Sequence, residues 1–185
     1  MKNTKLAGRY AKALHDFAIE QNVEEAVYQD ILLLKKTFVE NRELKVVIES
    51  PVIVAKRKET IFKEIFQQNI SKITFDFLVL IIEKRREPEL AIIFEKFIEC
   101  YYQQHNIRKA KVTTAVELNP ALLNEIKSLL EEQTHSTILL EQVVNPRIIG
   151  GLVVKVDDYL FDASLLGKIN KLKAEFSQNL YQTNY

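Results

Sequence analysis

Apolar side chains in this chain recur at spacings of three and four up to about residue 105, and at a spacing of two from about residue 108. The first period is that of α-helices with one buried face, and the second is that of a β-strand. A chain that carries both in this order is expected to be α+β. The expected division is a helical bundle over residues 1–105 and a small α/β domain over 106–185. Only four Gly and four Pro interrupt the pattern, which favours long regular elements.

Five or six helices are expected in the first part. Residues 4–20 carry two apolar stripes. Leu6, Tyr10, Ala13 and Phe17 form the bulky one and are expected to face the core. Ala7, Ala11, Leu14 and Ala18 form the other, mostly small, which suits a close neighbour. That neighbour is either another helix of the same bundle or a partner. Residues 23–39 follow, with Val23, Val27, Ile31, Leu34 and Phe38 inward, then 41–49 with Leu44 and Ile48. Ser50-Pro51 breaks the pattern, because proline disfavours helix in the residue before it. Residues 55–66 resume it, with Ile61, Phe62, Ile65 and Phe66 expected inside. The segment 73–86 has almost no polar side from Phe77 to Ile82, so it is central, or central on one side and docked on the other. A last helix over 89–104 packs through Ile92, Ile93, Phe97, Ile98 and Tyr101.

Strand alternation begins at Lys109 and runs to Val116. Asn119-Pro120 starts a helix, a capping side chain followed by a proline. Its inner face is expected to be Leu122, Ile126 and Leu129. Strands are expected over Thr137–Val144 and Ile148–Val156, the second containing Gly150-Gly151, then a short Tyr159–Phe161 segment. A terminal helix from about Ser164 carries Leu165, Ile169, Leu172 and Phe176 near heptad spacing. The tail, Tyr181 to Tyr185, reads as frayed or ordered by a partner.

Little of this sequence suggests catalysis. His15, His105 and His135 lie far apart, and none has metal-ligand spacing with Cys100, the single cysteine. Cys100 sits among apolar helix residues as a small core side chain, and a lone cysteine fits a reducing compartment. Gly150-Gly151 lacks the Lys-Ser/Thr ending of a phosphate loop. It reads as a bulge or close backbone approach, or as a flat surface beneath a partner. Asp157-Asp158 and Glu131-Glu132 read as solvated pairs, and Asp162 and Ser164 as helix caps. No cofactor and no metal is expected. The formal net charge is +1, and neither part carries a basic excess, which argues against nucleic acid. Lys56-Arg57-Lys58 and Lys84-Arg85-Arg86 are short basic clusters, each followed at once by an acid. The longest apolar run is far short of a membrane span, so membrane association is expected only through partners, without insertion.

Several motifs occur in a recognisable order. Arg9-Tyr10-Ala11-Lys12-Ala13-Leu14 opens the chain, and Ser50-Pro51 lies near residue 50. Phe77 to Arg86 follows, then Lys111-Val112-Thr113-Thr114-Ala115, Ile148 to Asp157, and Phe161-Asp162-Ala163-Ser164-Leu165. Across essentially the whole chain this resembles the delta subunit of bacterial F-type ATP synthase, whose mitochondrial relative is the oligomycin sensitivity-conferring protein. The bacterial form is favoured because Met1 stands only a few residues before the first motif, leaving no transit peptide.

The resemblance implies a non-catalytic stator subunit with a six-helix N-terminal domain and a smaller α/β domain. It implies a groove between the first and fifth helices for the N-terminal helix of an alpha subunit. Ala7, Ala11, Leu14 and Ala18 are then expected as its floor, with Tyr10 beside them, and Phe77, Leu80, Ile81 and Lys84 as its opposite wall. On that placement, tryptophan at Ala11 would block attachment while the bundle stays folded. The resemblance also implies contact with the C-terminal ends of the b-type peripheral stalk. Candidate residues there are Gly150, Gly151, Leu165, Ile169, Leu172 and Phe176, unless that apolar seam closes the small domain's own core. The implied site of action is the cytoplasmic face of the bacterial inner membrane. The rival readings are a nucleic-acid- or ribosome-associated adaptor, which requires a contiguous basic face, and a small enzyme, which requires a pocket of titratable side chains.

Overall fold

The computed structural model describes residues 4–179, with side chains described as far as Phe176. The tail from Tyr181 to Tyr185 lies outside them. The chain divides into two compact units between Gln104 and His105. The fold is α+β, helical in the first unit and with a mixed four-stranded sheet in the second.

The first unit contains α1 (Thr4–Glu20), α2 (Glu24–Glu40), α3 (Arg42–Glu49), α4 (Ala55–Phe66), α5 (Lys72–Glu83) and α6 (Leu90–Gln104). A 3-10 turn, Glu87–Glu89, leads into α6 with Pro88 in its first positions, where a missing N–H costs nothing. Leu34, Phe38, Phe62, Ile81, Ile82, Phe94 and Phe97 form the centre of the core. Phe38 meets Phe94 edge-on at 5.7 Å, one of the favoured aromatic geometries. Ile65, expected inside, is exposed, because Lys58, Phe62 and Phe66 form the buried face of α4.

Helix α1 turns the opposite way from the expectation. Ala7, Ala11 and Ala18 are completely buried and Leu14 nearly so, while Ala13 and Phe17 face outward and Tyr10 is half-buried. The reason is α6, the main packing partner of α1. Phe94, Phe97 and Ile98 give that helix a bulky surface. A stripe of methyl groups lets two backbones come close around such side chains, whereas a second bulky stripe would hold them apart.

Three polar contacts fix the helices. Asp30 of α2 accepts hydrogen bonds from Ser71 N (2.9 Å) and Thr74 Oγ1 (2.7 Å) at the start of α5. Ser71 is also the N-cap of α5. Tyr101 near the end of α6 stacks on Tyr28 of α2 and donates to Glu25. Burial and that hydrogen bond push the Tyr101 phenol up to about 12. Lys58, which the sequence places in a basic cluster, is instead buried against Glu87, with Nζ to Oε1 at 2.8 Å. Removing one member strands the other charge away from water. Lys58→Met is therefore expected to lower stability by about 3 kcal/mol, and Lys58→Met with Glu87→Met to recover most of it. Urea denaturation of the three chains checks this.

Helix α5 ends at Glu83, just past its apolar run and short of the expected residue 86. Arg85 adopts a left-handed conformation (φ 54°), and Arg85 N and Arg86 N donate back to Ile82 O and Ile81 O. This is the Schellman ending, here built without glycine.

The second unit contains β1 (Ile107–Thr114), α7 (Pro120–Thr134), β2 (Thr137–Val144), β3 (Leu152–Val156), β4 (Tyr159–Asp162) and α8 (Leu165–Asn179). The strand order is β2-β1-β3-β4. Strands β1 and β2 are parallel, joined through α7, and the other neighbours are antiparallel. The core is small: Ala110, Val112, Ile138, Val154 and Val156, with Ile126 and Leu130 of α7 packed on it. Leu122 and Leu129, expected inside, are exposed, because α7 meets the sheet through the 126/130 line. Strand β3 begins at Leu152 and not at Ile148. Residues Pro146–Ile148 form a 3-10 turn, and Ile149 and Gly151 both have positive φ, outside the strand region.

Candidate functional site

A concave apolar surface opens between α1 and α5, with a volume of about 780 Å³. Tyr10, Ala13, Leu14 and Phe17 line it from α1, with Gln21 just beyond the helix end. Lys72, Ile73, Asp76, Phe77 and Leu80 line it from α5. The spacings explain the walls. Positions 10, 13, 14 and 17 share one helix face, as do 73, 76, 77 and 80. Phe17 is 46% exposed and Leu80 40%, so two large apolar side chains on facing helices lack full cover. The size is that of a site that takes a few large side chains.

The expected floor is only partly there. Ala7, Ala11 and Ala18 have no accessible surface and are core residues, not groove residues. Leu14 is both buried and part of the lining, and Tyr10 lines the groove. On the opposite wall, Phe77 and Leu80 line the groove, whereas Ile81 is turned wholly into the core and Lys84, exposed at the end of α5, is not part of the lining. Sequence reasoning missed Ala13, Phe17, Ile73, Lys72 and Asp76 as lining residues. The available signal was the bulky stripe of α1, whose side chains are too large for the close contact with α6.

The C-terminal candidates separate into two kinds. Gly150 and Gly151 are spacers. Gly150 O accepts from Leu165 N at 2.9 Å, and Ala163 N donates to Leu152 O at 3.0 Å. A Cβ on Gly151 would lie 2.4 Å from Ala163 O, at a backbone φ of +75°. A Cβ on Gly150 would meet only the movable tip of Leu165. Gly151→Ala is accordingly expected to destabilise the second unit by about 2–3 kcal/mol, and Gly150→Ala by much less. Thermal melts of both variants test the difference. Ser164 caps α8, accepting from Gly167 N at 2.9 Å. Asp162 accepts from Ser164 N at 2.8 Å, and its hydrogen bonds to Ser164 hold its carboxyl below the usual carboxylate range.

Leu165, Ile169, Leu172 and Phe176 of α8 are all exposed. The seam therefore does not close the unit's core, which the sheet and α7 build without it. It is a continuous apolar stripe along the described part of the helix.

Nothing in the described residues resembles a reaction centre. No group of His, Cys, Asp or Glu side chains among them is placed to hold a metal ion. Cys100 is half-buried, and burial raises its thiol pKa, away from the reactive thiolate. No helix among the described residues is long and apolar enough to cross a membrane. Lys58 is engaged in the buried pair with Glu87 and so adds nothing to an exposed basic surface.

Comparison with known proteins supplies the remaining constraint. Residues 6–176 match the family model described as ATP synthase delta (OSCP) subunit. The chain is 36% identical over 176 residues to the ATP synthase subunit delta of Amoebophilus asiaticus, covering 95% of this chain and 96% of that one. It is 35% identical over 181 residues to the ATP synthase subunit delta of Christiangramia forsetii, covering 98% of each. Its fold resembles that of a chain in the cryo-EM composite structure of the Toxoplasma gondii mitochondrial ATP synthase hexamer. That likeness has a TM-score of 0.74 at 19% identity and covers 92% of this chain and 97% of that one. The chain belongs to the ATP synthase delta (OSCP) subunit family, a non-catalytic stator component of F-type ATP synthase.

Proposed function

We propose that this chain tethers the catalytic head of the synthase to its peripheral stalk through two apolar docking surfaces, one on each unit. The six-helix first unit receives the N-terminal helix of an alpha subunit in the α1/α5 groove. The second unit receives the C-terminal ends of the b-type stalk subunits along the seam of α8. The complex sits on the cytoplasmic side of the bacterial inner membrane, and this chain reaches the membrane only through its partners.

The observation that carries this reading is the groove, where Phe17 and Leu80 face each other across an opening that their own unit leaves unfilled. An amphipathic helix laid in such a groove is a recurrent recognition mode. The role is mechanical. Proton flow turns the rotor, and the head would follow unless held. A tether resists that torque, so the rotation deforms nucleotide sites on other subunits. A stable specific interface commonly buries about 1,200–2,000 Å². Two attachment points on one molecule also raise the effective concentration at the second once the first is engaged.

The test is isothermal titration of the full chain with two synthetic peptides from the same organism. One is the alpha subunit's N-terminal helix and the other is the C-terminal segment of the b-type subunit. Saturable binding of both, with neither competing against the other, is the expected outcome. Failure of the alpha peptide to bind would remove the groove from the account, and failure of the b peptide would remove the seam.

A further inference from the structure

We infer that the α1/α5 groove selects its helix by charge as well as by shape: Asp76 pairs with a lysine or arginine of the docked helix, and Lys72 favours an acidic residue about one turn from that cation. The inference rests on the reading of the groove as a helix site and adds the chemistry of the occupant.

Asp76 and Lys72 are the only charged side chains in a lining that is otherwise almost wholly apolar. Both are exposed, four residues apart on the open face of α5. Asp76 interrupts the apolar sequence of α5, past the first turn, where aspartate is a poor helix former and has no cap to make. Lys72 opens α5, where the helix dipole disfavours a cation. Among the described residues Asp76 forms no ion pair, and the N-cap of α5 is supplied by Ser71 with Asp30 behind it. Two residues that are weak choices for their places in the helix thus lie side by side at the α1/α5 opening. Such conflicts concentrate where a chain has a function to serve.

A helix lying over Ile73, Phe77 and Leu80 would take water away from the Asp76 carboxylate. A carboxylate that loses water without gaining a cation opposes binding, so occupants with no basic residue at that point are rejected. Lys72 and Asp76 are four residues apart, about 6 Å along the axis at the rise of an α-helix. The occupant is therefore an amphipathic helix that borders its apolar face with opposite charges three or four positions apart.

The experiment uses the full chain and a synthetic peptide of the N-terminal helix of the same organism's alpha subunit, titrated calorimetrically at low and high salt. Asp76→Asn is expected to weaken binding about tenfold at low salt and less at high salt, and Asp76→Lys about 100-fold. Replacing the peptide's lysines and arginines one at a time by glutamine should identify one that costs about tenfold against the wild-type chain and nothing further against Asp76→Asn. Unchanged binding by Asp76→Asn, or equal losses against both chains for every peptide cation, overturns the charge selection. If that happens while Phe17→Asp with Leu80→Asp still abolishes binding, the groove stands and only this inference falls. If the wild-type chain does not bind the peptide, both fall.

Discussion

Phe17→Asp combined with Leu80→Asp is expected to reduce affinity for the alpha N-terminal helix by about 1,000-fold or more while leaving the fold intact. Both residues are about half open to solvent, one on each wall, so an exposed carboxylate costs the free chain little. On the proposed docking the same two positions become the centre of the contact. Interface centres are where single large side chains carry several kcal/mol, and two buried carboxylates would add an unpaired-charge penalty. Circular dichroism and the urea midpoint of the double variant should match those of the wild type, and calorimetric titration should show no measurable binding. Wild-type affinity in the double variant would mean that the helix docks elsewhere.

Ala11→Trp is expected to unfold the first unit. Ala11 has no accessible surface, on the face of α1 that packs with α6. Overpacking by a methylene or two already costs about 1–3 kcal/mol, and an indole at a contact between helices has no room to relax into. The loss should consume most of the ~5–15 kcal/mol typical of a native domain. Loss of helical ellipticity with rapid proteolysis of the first unit is the expected readout. This reverses what the sequence suggests for the same substitution. A folded Ala11→Trp chain that fails to bind the alpha peptide would restore the sequence-based placement.

Why the sequence misjudged α1 while finding its helix is a matter of symmetry. Periodicity reports that a helix has apolar stripes, and α1 has two of them offset by one residue, about 100° around the axis. It does not say which stripe meets α6. The answer depends on the bulk of the residues opposite, Phe94, Phe97 and Ile98, which lie some 80 residues away along the chain. The change of period near residue 108 was legible because it needs only local spacing, and the chain does divide between Gln104 and His105. The Lys58–Glu87 pair left no local trace: its two residues look like ordinary solvated charges until α4 and the turn before α6 are brought together. Gly150 and Gly151 were legible as a close approach. The partner of Gly151 was not, since Ala163 meets it only through its backbone. The heptad seam of α8 reads the same whether it is covered or open, so only the finished sheet and α7 could decide it.

The carboxylate of Asp30 has a further meaning for a part that must bear load. It grips the first residues of α5 from α2, on the side away from solvent, through Ser71 N and Thr74 Oγ1. On the proposed docking, tension on a helix seated in the groove would load α5, and this clamp resists it together with the buried face of that helix. The groove wall is thus braced from behind by a residue that is not part of the groove lining.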